Sequence, residues 1–262
     1  MKLKLFIFFT GVLYSSLLFA DIHWLYNLEE AKQEAIRKNK LIMIVDMQES
    51  QIIEGDNFFS HEISTKLVPL LSKEGHEISI RDINGNVLVN CDNIENFIEV
   101  LFTIPENVDK LNAELREYNE YGKSAQRSFD LALAYQDLAL NIPTELRSEI
   151  LSISNSHFND AAKLGKKEKR DVLMEASTLR VCYNEMSKGE YEKTINMLNQ
   201  KVDIDDLSIK NMALAYYILS NSYEMTGDLS KAEYYADKIQ LTPGGYGFMK
   251  KLKGHWYPSS PN

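Results

Sequence analysis

"LIMIVDMQESQIIEG", residues 41–55, decides the fold class. Leu41 to Val45 form an unbroken apolar run, and Asp46 closes it. Apolar residues at both alternating positions mark a strand buried on two faces, the kind covered by helices. The segment before it reads as a helix. Asn27 is a good N-cap, and Glu30 follows at the spacing of a capping box. Leu28, Ala31, Ala35 and Ile36 then recur at helical spacing up to Lys40. Residues 22–24 (Ile-His-Trp) are expected to add a short strand ahead of this helix. After the quoted stretch, residues 58–71 carry a second helical pattern in Ile63, Leu67, Leu70 and Leu71, which Pro69 must kink or shorten. Ile78-Ser79-Ile80 and Val87-Leu88-Val89 flank Asn84-Gly85, a strong hairpin signal. Asp92 or Asn93 then caps a helix bearing Ile94, Phe97, Ile98 and Leu101. The expected order is β-α-β-α-β-β-α.

DIHWLYNLEEAKQEAIRKNKLIMIVD, residues 21–46, resembles the opening of exported thioredoxin-like proteins, with a Trp, an Ala-rich helix, a Lys-rich turn and a buried strand ending in Asp. RDINGNVLVNCDNIENFIEVL, residues 81–101, resembles their closing hairpin and last helix. The resemblance implies a redox scaffold whose two cysteines would fall near Ile52 and Gly55, and neither position is Cys. It also implies a cis-proline just before the hairpin, where this chain has His76 and Glu77; Pro69 lies too early to be its equivalent. Little room remains between Leu71 and Ile78 for the middle strand and helix of the full fold. An abbreviated thioredoxin-like domain over residues 21–104 is therefore expected. Disulfide exchange needs an attacking thiolate and a second, resolving thiol. Ile52 supplies neither, and Cys91, at the end of the hairpin, has no second cysteine nearby.

Residues 105–262 read as helical throughout, with patterns over about 106–121, 124–141, 144–164, 168–187, 190–200, 207–226 and 229–241. Asp206 or Ser208, and Asp228 or Ser230, are the expected caps of the last two. ALAYYILSNSYEMTGDLSKAEYYADKIQLTP, residues 213–243, resembles a tetratricopeptide repeat. Tyr216, Leu219, Ser220 and Tyr223 match the large, large, small and aromatic positions of its first helix. Gly227-Asp228 form its turn, Ala232 and Ala236 allow close approach of the second helix, and Pro243 ends the unit. KGEYEKTINML, residues 188–198, resembles the turn and second helix of a preceding unit. Gly189 and Gly227 lie 38 residues apart, near the roughly 34-residue period of that repeat. One helical hairpin cannot bury its apolar face alone, so neighbours must stack. The plainer alternative is a helical bundle. The fold class expected is thus α/β plus all-α, with helical hairpins of tetratricopeptide type after the first domain.

Residues 1–20 read as a secretory signal: Lys2 and Lys4 precede an apolar stretch, and Leu18-Phe19-Ala20 offers a cleavage site before Asp21. The rival is an uncleaved anchor, for which the stretch is short against a span of about 20 residues. Cleavage would put the chain in the periplasm and leave no membrane span. It would also take the formal charge from −9 to −11, because only two lysines are lost. Such acidity repels phosphate backbones, so nucleic acid is a poor partner. Cys91 and Cys182 are the two cysteines, open to pairing or to burial as separate thiols.

The sequence carries no complete catalytic motif of these kinds. His61-Glu62 and His76-Glu77 start zinc motifs that Thr65 and Ile80 fail to complete. Gly244-Gly245-Tyr246-Gly247 follows a helix and is too short for a dinucleotide fingerprint. Asp203, Asp205 and Asp206 lack the rest of a calcium loop, and solvated capping suits them better. No catalytic, cofactor-binding or metal-ligating residue is assigned, and no cofactor is expected. The expectation is a non-catalytic exported binding or adaptor protein that recognises a protein or peptide. Tyr183, Tyr216, Tyr223 and Trp256 are its candidate contacts, although core packing suits most of these rings better. Tyr246, Phe248, Trp256 and Tyr257 are expected to dock back as a cap. The alternative function is a thiol-disulfide oxidoreductase accessory using Cys91.

Overall fold

The computed structural model describes residues 22–46, 50–51, 53, 57–72, 78–105, 108–245 and 247–248. Residues 1–20, where a secretory signal is expected, Ile52 and Gly55, the pair His76-Glu77, and Tyr246, Trp256 and Tyr257 lie outside the described residues. The described residues form a mixed α/β protein, mostly helical, with a small four-stranded sheet. The chain divides into two compact units, one within residues 1–116 and 138–150, the other within 117–137 and 151–262.

The first unit holds α1 (Leu28–Lys38), β1 (Leu41–Asp46), α2 (Asn57–Lys66), β2 (Leu67–Ser72), β3 (Ile78–Arg81), β4 (Val87–Cys91) and α3 (Ile94–Thr103). The Asn27 side chain accepts from the Glu29 and Glu30 amides and starts α1; Asn39, at φ 54°, ends it just before β1. All six residues of β1 are buried. The sheet runs β2-β1-β3-β4, with β1 parallel to β2 and antiparallel to β3, and β3 antiparallel to β4. The hairpin forms as expected. Asp82, fully buried, accepts from the Asn84 and Asn86 amides and from the Asn86 side chain, and Gly85 takes φ 88° at the turn. Asn93, rather than Asp92, caps α3.

Two expectations are corrected. The helix read over 58–71 ends at Lys66, and Leu67 to Ser72 instead form β2. Pro69 drives the change, because it cannot sit inside a helix and biases Val68 towards extended backbone. Its carbonyl accepts from the Leu25 amide, on the side of β2 away from β1. The missing N–H faces that same side, so the ladder to β1 loses nothing. In chain order this strand falls between β1 and β3, where the expected order had none, and five residues, 73–77, separate it from β3. The strand expected at 22–24 is likewise absent. Leu25 makes an isolated parallel bridge to Leu70.

The remaining helices are α4 (Asp109–Tyr121), α5 (Ala125–Ala139), α6 (Ser148–Lys167), α7 (Asp171–Ser187), α8 (Tyr191–Lys201), α9 (Ile209–Met225) and α10 (Leu229–Leu241). Thr144–Leu146 form a separate short 3-10 turn ahead of α6, so the helix expected from 144 starts late. The α7–α8 and α9–α10 turns share one geometry. Gly189 and Gly227 have φ 84° and 86°. The Glu190 and Asp228 amides donate to the Glu185 and Tyr223 carbonyls at 3.0 and 2.9 Å. Cys182 and Ser220, also 38 residues apart, are both fully buried. Ser220 Oγ donates to the Ala232 carbonyl at 2.9 Å, tying α9 to α10. Asp228 caps α10 through the Lys231 amide. At α9 the Ser208 side chain makes no capping bond; Glu175 of α7 instead accepts from the Ser208 amide at 3.1 Å and from Asn211 Nδ2 at 3.0 Å.

Candidate functional site

Helices α5, α7 and α9 line a groove of about 910 Å³ in the helical unit. Phe129 and Leu133 of α5, Leu173 and Ala176 of α7, and Leu214 of α9 supply apolar surface. Pro243, Gly244 and Phe248 add a wall beyond α10. That wall depends on Gly245: a Cβ there would collide with the Ile239 carbonyl oxygen. Phe248 packs on Tyr217, with ring centroids 5.3 Å apart. The charged residues of the groove are Lys169, Arg170, Asp171 and Arg180, an excess of positive charge in an acidic chain. Arg170 donates to Gln126 Oε1 at 2.7 Å.

Arg180 is the unusual member of this set. It lies half-buried, with its guanidinium 5.9 Å from the centre of the Tyr183 ring. Its one hydrogen bond among the described residues goes to Gln136 Oε1, at 2.8 Å. It forms no ion pair there, and the Asp137 carboxylate acts on it only at longer range. Burial pushes its pKa down, with Tyr183 and Asp137 opposing the shift. A guanidinium still keeps its charge under these conditions. The groove therefore contains a partly desolvated cation that no carboxylate contacts directly among the described residues, a costly arrangement in an apolar setting.

Buried amides hold Arg180 in place. Gln136 Nε2 donates to Asn184 Oδ1. Asn184 Nδ2 donates to Ser154 Oγ at 3.1 Å and to Asn155 Oδ1 at 2.8 Å. Ser154 Oγ donates to the Ala132 carbonyl, and Asn155 Nδ2 donates to Glu185 Oε1 at 2.8 Å. Lys188 and Lys193 close the chain on Glu185, at 2.6 and 2.7 Å. Burial raises the Glu185 pKa, but the two ammoniums outweigh it and hold the carboxyl below its ordinary value. Gln136, Ser154 and Asn184 are fully buried. Every amide in this relay is oriented by its neighbours, so Gln136 must present its oxygen to Arg180.

The four candidate contact residues fall in different places. Tyr183 is buried, stacking on Tyr217 at 6.3 Å and backing Arg180. Tyr216 and Tyr223 come together elsewhere, both stacked on Tyr235 at 6.1 and 5.7 Å, with Tyr234 edge-on to Tyr235 at 5.1 Å. Tyr216 also lines a smaller, polar pocket of about 590 Å³ with Lys201, Asp203, Tyr234 and Lys238. Trp256 lies outside the described residues. The sequence reading missed Arg180, Gln136 and Asn184. Arg180 and Asn184 stand four apart among apolar neighbours, so a polar pair on the packed face of a helix was the available signal.

The thiols are sealed. Cys91 and Cys182 are both free and buried, one in each compact unit. Burial, with a smaller push from Asp92, raises the Cys91 thiol to about 12. Burial likewise raises Cys182 to about 11. Near neutral pH both are protonated, and a protonated thiol does not attack disulfides. Asp203 accepts from the Asp205 amide at 3.2 Å, a local turn bond. Among the described residues no group of three or more His, Cys, Asp or Glu side chains is placed to hold a metal, and no helix is long and apolar enough to cross a membrane. No family model matches the chain, and neither a curated protein nor a solved structure matches it.

Proposed function

We propose that this chain is an exported, non-catalytic binding protein that grips a segment of another protein in the groove between α5, α7 and α9. One observation carries the reading: an apolar groove, walled by three helices and a C-terminal segment, holds an arginine that forms no ion pair among the described residues. Such a surface suits a chain with alternating apolar and polar side chains. The matched turns at Gly189 and Gly227 support stacked hairpins of tetratricopeptide type. In the first unit, β2 beside β1 and the β3–β4 hairpin support an abbreviated thioredoxin-like scaffold, while the sequence carries no cysteine at Ile52 or Gly55. The buried, protonated thiols weigh against a redox role for Cys91.

Affinity capture from cells making the tagged protein tests this reading. Ala176→Trp, which fills the groove, should abolish recovery of the partner, whereas Cys91→Ser with Cys182→Ser should leave it intact and no disulfide reductase activity should be detectable. Recovery unchanged by Ala176→Trp in a folded protein, or reductase turnover lost on Cys91→Ser, would refute it.

A further inference from the structure

We infer that the occupant of the groove is an acidic segment of a partner chain, with a carboxylate paired to Arg180 and apolar side chains set against Phe129, Leu133 and Leu214. The inference rests on the binding reading and narrows it to one ligand chemistry.

Three features of the groove select that chemistry. The first is the cation itself. Arg180 offers a planar fork of donors, one of which is used by Gln136, and it forms no ion pair among the described residues. A carboxylate accepts two parallel bonds from such a fork, a geometry that neutral amides cannot match. The second is rigidity. The relay from Gln136 through Asn184 and Asn155 to Glu185 fixes the direction from which Arg180 can be approached. Little side-chain freedom is then lost on binding, which favours affinity. The third is the surrounding charge. Among the lining residues Lys169, Arg170 and Arg180 outnumber Asp171. Glu168 pairs with Arg170 at 4.0 Å and Glu175 accepts from Asn211, but neither pairs with Arg180 among the described residues, so the balance around Arg180 favours anions although the chain as a whole is acidic.

The same field argues against the most obvious internal occupant. Phe248 already lies at the groove, and residues 249–262 follow it, with Lys250, Lys251 and Lys253 at the start of that stretch. Three cations entering a cationic groove would be repelled.

Fluorescence anisotropy on the full chain tests the proposal with two short labelled peptides, capped at both ends. One repeats Leu-Ser-Glu and the other repeats Leu-Ser-Gln. The Glu peptide should bind at least about tenfold tighter, and added salt should erode that advantage. Arg180→Gln should erase the preference while leaving the weak binding of the Gln peptide unchanged, and Arg180→Lys should retain part of it. Equal binding of both peptides by the wild-type chain overturns the proposal, and so does loss of both peptides together in folded Arg180→Gln. If instead a synthetic peptide of residues 249–262 binds and the Glu peptide does not, the groove belongs to the chain's own tail and the proposal falls. If no probe binds but Ala176→Trp still loses the captured partner, the acidic ligand is wrong and the binding reading stands. If Ala176→Trp keeps that partner as well, both fall.

Discussion

Replacing Asn184 with Leu should cost about 4–6 kcal/mol, a large effect for one side chain of similar size. Asn184 is fully buried, accepts from Gln136, and donates to Ser154 and Asn155. Each bond contributes about 1 kcal/mol net, and a buried donor left without a partner adds about 1–3 kcal/mol. In the variant, the Gln136 amide is that stranded donor. Gln136→Leu should be costly for the complementary reason: it strands Asn184 Oδ1 and removes the hydrogen bond that Arg180 makes to Gln136. The double variant removes both ends of the buried pair, so it should lose less than the sum of the singles by about 2 kcal/mol. The assay is urea denaturation followed by tyrosine near-ultraviolet circular dichroism, since Tyr118, Tyr135, Tyr183 and the α9–α10 tyrosines place most of that signal in the helical unit. Losses under about 1 kcal/mol, or singles that add within about 0.5 kcal/mol, would refute the relay as a coupled network.

Asp82→Ala should destabilise the first unit by about 2–3 kcal/mol, because three donors at the hairpin lose a buried acceptor; a loss under about 0.5 kcal/mol in urea unfolding would show that the turn does not depend on it. Gly245→Ala should displace the chain beyond α10, at a cost of about 1–3 kcal/mol, because its Cβ would meet the Ile239 carbonyl. Amide exchange at Gly244, Gly245 and Phe248 should accelerate, and unchanged protection there would contradict the close contact. In the native chain both thiols should resist alkylation at mildly alkaline pH and react fully in denaturant; labelling of native Cys91 at the rate of a free thiol would overturn its burial. Folding raises both thiol pKa values from 9.0, to about 12 and about 11, so it favours their protonated forms. That contribution is complete below about pH 9 and is lost as pH rises towards 11–12. The Cys91→Ser, Cys182→Ser protein should lose less stability over that window, and identical alkaline loss would assign the effect to other groups.

The sequence was most legible where one residue type settles one local conformation. Asn27, Asn93 and Asp228 cap helices as their side chains predict, and Gly85, Gly189 and Gly227 sit in the left-handed turns that breaks in the pattern suggested. It misled where a short apolar run fits two periods. Leu67, Leu70 and Leu71 satisfy helical spacing, but all of Leu67 to Leu71 is buried, and only pairing with β1 reveals a strand. Pro69 carried the hint, and its acceptable place in β2 depends on Leu25, far away in sequence. The groove was hidden for a related reason. Gln136, Arg180 and Asn184 come from α5 and α7, and although the spacing of Arg180 and Asn184 marks a polar pair on one helix face, nothing local shows that Gln136 of another helix completes it. The tyrosines drew notice by number, yet Tyr183 packs into the core behind Arg180, and Tyr216 and Tyr223 stack on Tyr235 away from the main groove.

Photo-crosslinking inside cells tests the central claim most directly. A photoreactive phenylalanine analogue placed at Leu133 or Leu173, in the groove, is compared with the same group at exposed Asn196 on α8. The account predicts that both groove positions capture one partner chain, that mass spectrometry maps the joined peptide to a segment rich in Asp or Glu, and that Asn196 captures none. Crosslinks equal at all three positions, or none from the groove of the folded protein, would contradict it.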